Sequence, residues 1–185
     1  MHCIFDNIYW EGILMKLNEA KTLISRMSRK ISDLNHQRTV NSLVEIAPGE
    51  NPLEYISEQP DEITRKLLFI YDERRKLKDA FRLANNRKFP ISINGEEKET
   101  SISELIDLVK DIRMEAYYFN SYSKKLPKTR LSQAKQETIQ VITFDRNEYN
   151  QKAEQLEGFA ENISNLIDHY DSIIDVDYTI PDNLF

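Results

Sequence analysis

Four stripes of residues, mostly apolar and repeating at alternating steps of three and four, constrain this chain more than any other feature. The first runs Leu17, Ala20, Ile24, Met27, Ile31 and Leu34, and continues in register through the polar Arg38 and Asn41. The second runs Ile63, Leu67, Ile70, Arg74, Leu77, Phe81 and Ala84, and the third Ile102, Leu105, Val109, Ile112, Ala116 and Phe119. The fourth is Tyr149, Lys152, Leu156, Phe159, Ile163, Leu166, Tyr170 and Ile173. A mean step of about 3.5 puts each set on one helix face and is the spacing of a coiled-coil seam. The expected fold is mainly α: four long amphipathic helices in antiparallel, coiled-coil-like hairpins or a bundle.

Boundary signals agree with the stripes. Pro60 suits a first helical turn, and Asp61 and Glu62 are favourable at its positive end. Ser101 with Glu104, and Asp145 with Glu148, can each form a capping box. Asn85 and Asn86 can close the second helix. Helices are therefore expected near 16–44, 60–86, 101–124 and 145–174. Between the second and third lies KFPISINGEEKET, whose Asn94-Gly95 pair is a two-residue hairpin signal, so a β arm is expected at about 88–100. Pro90 confines its leading strand to an edge. The run ETIQVITF, residues 137–144, is the other β-prone stretch. A lone two-stranded hairpin is marginal in water, so the arm is expected to pair with ETIQVITF or with another subunit. The first of these gives the alternative fold, α+β with a three-stranded β element.

A chain of 185 residues with four Gly and six Pro fits one helical domain, taken here as residues 15–178 with a C-terminal tail at 179–185. The tail, in YTIPDNLF, carries no helix pattern; disorder and docking of Leu184-Phe185 on a neighbour are both open. The net charge of −6 argues against a general nucleic-acid coat protein. The single cysteine, Cys3, excludes an intramolecular disulfide and any multi-cysteine zinc site. Residues 1–14 lack the basic start and apolar stretch of a signal peptide, and no run of about 18 apolar residues occurs, so the expected location is cytoplasmic. The register begins at Leu17, just after Met15. Reverse-translated, Trp10-Glu11-Gly12 can spell GGAGG, a bacterial ribosome-binding sequence, a short spacer ahead of Met15. Residues 1–14 are thus read as translated leader, against the alternative of an N-terminal extension packed on the bundle through Phe5, Ile8, Tyr9 and Trp10.

From Met15 onward three stretches carry a family resemblance. They are MKLNEAKTLISRMSRKISDLN, then RLANNRKFPISINGEEKETSISELIDLVKDIR, then IQVITF leading into FDRNEYNQKAEQLEGFAENISNLIDHYD. Over about residues 15–178 the chain resembles small bacterial proteins labelled septicolysin, a family of unknown function. The resemblance implies a helical fold with a central β element and supplies no catalytic residues. Its label implies a membrane-active toxin, which the lack of a membrane-spanning stretch counts against.

Charge is unevenly distributed. Residues 145–185 are strongly acidic, with only Arg146 and Lys152 opposing, whereas the first helix carries Lys16, Lys21, Arg26, Arg29, Lys30 and Arg38 against Glu19 and Asp33. Such faces steer helix pairing, and the acidic C-terminal helix is also a candidate contact for a protein partner. Two basic clusters are the candidate nucleic-acid contacts: Arg74, Arg75, Lys78 and Arg82, and then Lys124, Lys125, Lys128 and Arg130, which follow Tyr117, Tyr118 and Tyr122. Lysines for phosphates beside aromatics for bases make a nucleic-acid footprint, although tyrosines at helical spacing also pack. His169 and Asp171 could ligate a metal, but the Glu-x-x-His pattern of di-iron bundles is missing, and Asp107 and Asp111 share a helix face as an acidic surface. Neither a phosphate-binding glycine loop nor a nucleophile elbow is present. No metal, cofactor or catalytic residue is expected. Arg38, Asn41 and Arg74, polar within apolar seams, and Ile91, Ile93, Asn94 and Gly95 in the arm are candidate oligomer contacts. The expected role is a non-enzymatic, homo-oligomeric scaffold or adaptor, the alternatives being a nucleic-acid-binding accessory protein and a membrane-active toxin.

Overall fold

A computed structural model describes residues 15–93, 95–130 and 139–185. Residues 1–14, Asn94 and the leading part of ETIQVITF lie outside the described residues. In chain order the elements are β1 (Met15–Lys16), α1 (Leu17–Ser42), a 3₁₀ turn (Pro52–Glu54), α2 (Pro60–Asn85), β2 (Phe89–Ile93), β3 (Glu96–Thr100) and α3 (Ile102–Ser123). β4 (Lys128–Arg130), β5 (Ile139–Val141), α4 (Arg146–Asp171) and β6 (Asp175–Val176) follow. The fold is mainly α with small antiparallel β elements, as the stripes require. It divides into two compact units: the chain up to Asn86 together with Asp171–Phe185, and Arg87–Tyr170. Among the described residues no helix is long and apolar enough to cross a membrane.

In the first unit α1 and α2 run antiparallel, with Arg74 reaching Ser28 and Tyr71 reaching Asn35. Their interface buries Leu17, Met27, Ile63, Leu67 and Leu77 almost completely. The C-terminal segment closes the unit. β6 pairs with β1, setting Met15 opposite Val176 and Lys16 opposite Asp175. Lys16 Nζ adds an ion pair to Asp175 at 2.6 Å, and Lys21 pairs with the buried Asp171. The tail then folds back, and Leu184 is buried, lining a cavity together with Leu34, Phe69 and Ile70. Of the two alternatives for the tail, docking is the one observed, and the surface it docks on belongs to its own chain.

In this unit the seams differ from the sequence reading at two points. In α1, Leu23 is buried and Ile24 only half-buried. In α2 the buried polar residue is Glu73 rather than Arg74, because two groups meet its carboxylate. Tyr178 Oη donates to Oε2 at 2.9 Å and Lys76 Nζ to Oε1 at 2.6 Å. A buried carboxylate is tolerable only with such partners.

The second unit opens with the β2–β3 hairpin, in register from Phe89 opposite Thr100 to Ile93 opposite Glu96. Gly95 takes φ +84°, a left-handed conformation that favours glycine at the turn. The hairpin leads into α3, capped reciprocally: Ser101 Oγ accepts from the Glu104 N–H, and Glu104 Oε2 accepts from the Ser101 N–H at 3.0 Å. α3 buries Ile102, Leu105, Val109, Ile112 and Ala116. Antiparallel to it, α4 buries Ile163 as expected, and with it Ala153, Ala160 and Ile167, each one position past the expected Lys152, Phe159 and Leu166; Lys152 is exposed. The larger Leu156 and Phe159 are only half-buried. β5 pairs with β4, Lys128 opposite Val141 and Arg130 opposite Ile139, and not with the arm. Among the described residues the three-stranded alternative is therefore not formed. Residues near in sequence close first at lower entropic cost, and Ile142 N–H to Pro127 O extends the same ribbon at 3.2 Å.

Candidate interaction surface on α3

An amphipathic helix should present polar groups opposite its buried stripe. α3 does this only at its ends. On its outward side Asp107, Asp111, Met114, Tyr118 and Ser121 follow one another at steps of four, three, four and three, with Lys125 four further on. At about 100° per residue this line lies roughly opposite Leu105, Val109, Ile112 and Ala116. Met114 is 68% exposed and Tyr118 44%, with Tyr117, at 73%, beside them. Lys125 follows just past the end of α3, in a turn that its N–H closes on Tyr122 O at 3.0 Å, and its side chain is exposed.

The aromatic residues at this end form a closed circuit. Tyr118 lies 4.4 Å from Tyr122, Tyr122 5.9 Å from Phe144 and Phe144 4.2 Å from Tyr149. Tyr149 is 4.9 Å from Phe119, which closes on Tyr118 at 5.7 Å. Aromatic pairs in this range of separations hold one another in place, so the outer faces of Tyr118 and Tyr122 are presented on a rigid base. Loss of surrounding water, and then the neighbouring Tyr122 and Tyr149, push the Tyr118 phenol up from its usual range. Arg146 Nε ties the start of α4 to Ser123 O at 2.7 Å, locking the two helices at this end.

The remaining candidates are distributed as follows. In the first unit, Asn41 Oδ1 accepts from Ser57 N–H at 2.8 Å and Glu58 N–H at 3.4 Å, while Nδ2 donates to Gln37 O. Asn41 thus holds the connection into α2 within its own chain. Arg38 donates to Asn35 Oδ1, and Arg74 donates to Ser28 and lies over the Tyr71 ring. Arg75 and Arg82 pair with Asp72 and Asp79 on the same helix, and Lys78 is exposed. In the second unit Ile91 is buried, Ile93 half-buried and Gly95 exposed; Asn94 lies outside the described residues. Lys124, Lys125 and Lys128 are exposed at the end of α3 and the start of β4, which Arg130 completes. The two basic clusters thus belong to different units. Among the described residues no group of three or more His, Cys, Asp or Glu side chains could hold a metal ion.

The outward stripe is the feature that the sequence reading passed over, although its parts were visible. In sequence, Asp107 and Asp111 read as an acidic surface and the tyrosines as packing or base-stacking groups. A second line at the same spacing, half a turn from the first, would have joined them.

Comparison with known proteins adds a fold and no activity. No protein-family model matches the chain, and no curated protein matches it. It is similar in structure to a functionally unknown conserved protein from Corynebacterium diphtheriae, with a TM-score of 0.60 at 16% identity, over 88% of this chain and 99% of that one. At that identity the likeness extends to the fold alone.

Proposed function

We propose that this chain is a non-enzymatic helical module that self-associates, a scaffold or adaptor rather than a catalyst. The observation that carries this is the outward face of α3, where Met114, Tyr117 and Tyr118 expose apolar surface opposite a complete buried stripe. Scattered exposed apolar residues are ordinary; a line of them on one rigid helix, flanked by charge, is the usual form of a contact surface. Membership in the septicolysin-labelled family and a cytoplasmic location belong to the same proposal. The test is light scattering on the untagged chain from Met15 across a range of concentrations. An oligomer free of nucleic acid supports it, and a monomer at every concentration overturns it.

A second reading has its own support. Lys124, Lys125 and Lys128 are exposed next to Tyr122 and Tyr118, an arrangement suited to a single strand that stacks on rings and pairs its phosphates with ammonium groups. Co-purifying nucleic acid, seen as excess absorbance at the nucleobase wavelength and removed by salt, favours this reading over the first.

A further inference from the structure

The outward stripe of α3 has a polarity, and the polarity selects a partner. Its N-terminal end carries Asp107 and Asp111, Asp107 sharing its charge with Lys110 of the same helix at 2.8 Å; its middle is apolar at Met114 and Tyr118, and Lys125 lies basic beyond its C-terminal end. Read from either end, the spacing is the same: Asp107 and Lys125, Asp111 and Ser121, and Met114 and Tyr118 are each equidistant from Ala116. A surface of this kind is complementary to itself when two copies lie antiparallel, the isologous arrangement of a two-fold dimer. A parallel pair would instead set acid against acid and base against base.

We infer that the outward face of α3 docks antiparallel on the same face of a second copy of this chain. Met114 then meets Tyr118 of the second copy, Asp111 meets its Ser121, and Asp107 meets its Lys125. Deepening the proposed self-association, the inference rests on it and names the surface and register. Tyr117, on one edge of the stripe, meets its own image, two aromatics suited to offset stacking. Two unfavourable meetings come with the geometry. Glu115, on the other edge, faces its own image, and Lys110 lies near Lys124 of the second copy. Both are exposed edge contacts, where a like-charge pair costs little. The interface is one helix face, at the small end of specific contacts, so dimerisation is concentration-dependent.

Sedimentation across a concentration series, on the full chain and on single variants, tests this. Met114→Asp places a carboxylate in the apolar centre and abolishes the dimer. Asp107→Lys and Lys125→Glu each weaken self-association by about threefold to tenfold, since each disturbs both symmetric ends. Mixed together, the two variants restore it, because the mixed pair opposes unlike charges at both ends. Glu115→Gln tightens the dimer. A wild-type chain that stays monomeric overturns this pairing and the self-association proposal together. An oligomer unmoved by Met114→Asp, Asp107→Lys and Lys125→Glu overturns the pairing alone. Tighter assembly of either charge variant by itself overturns the register.

Discussion

At the scale of single residues, the polar side chains inside the apolar stripes work within their own chain. Asn41 is the clearest case. Its carboxamide is the acceptor for two N–H groups ahead of α2, at Ser57 and Glu58. Asn41→Ala leaves those donors, on exposed Ser57 and half-buried Glu58, to water and should cost about 0.5–1.5 kcal/mol. Asn41→Asp, which keeps an acceptor oxygen, should recover part of that loss in urea denaturation. Glu104 gives a pH-dependent case. The Lys88 ammonium beside it, then the Thr100 hydroxyl and the Ser101 N–H, lower its carboxyl from the ordinary 4.5 to about 2. A depressed acid contributes stability above its unfolded pKa and loses it as pH falls through the folded value. The contribution of Glu104 is therefore complete above about 4.5 and lost towards about 2. Glu104→Gln should flatten the fall of the denaturation midpoint across that window. Asn41 could be picked out from sequence because a polar residue interrupts a seam. Glu73 could not, since its partner Tyr178 is 105 residues away and nothing local marks the pair.

At the scale of elements, helix positions were legible to within a turn because capping and periodicity agree. Pro60 opens α2, and the Ser101–Glu104 box opens α3, where the sequence places them. The α4 seam was less legible. Hydrophobicity points to Leu156 and Phe159, which are half-buried, whereas the buried positions are taken by Ala153 and Ala160. β4 carries no signal of its own, for Lys-Thr-Arg has no apolar alternation and forms a strand only because β5 returns beside it. The β2–β3 hairpin manages its edges with charge: β3 reads Glu-Glu-Lys-Glu-Thr, and Pro90 sits in β2. Such edges discourage further strand addition. With φ at +84°, Gly95→Ala should destabilise the hairpin by about 1 kcal/mol, read as faster amide exchange across residues 89–100.

At the scale of the whole molecule, the first unit is discontinuous in sequence and the second continuous. The first is held shut by contacts between distant parts of the chain: Lys16 to Asp175, Lys21 to Asp171 and Glu73 to Tyr178. A chain ending at residue 172 lacks β6 and the segment carrying Leu184. It should lose amide protection along α1 and α2 while keeping it in α3 and α4, as hydrogen exchange followed by mass spectrometry would show. Equal loss in all four helices would contradict this division. The discontinuity also sets an order of events during synthesis. α1 and α2 are made well before the segment carrying Leu184, which closes over Leu34, Phe69 and Ile70. At bacterial and eukaryotic elongation speeds the wait is roughly 5–20 s. Through that interval the nascent helical hairpin has its apolar groove uncovered, a surface that the folded chain hides.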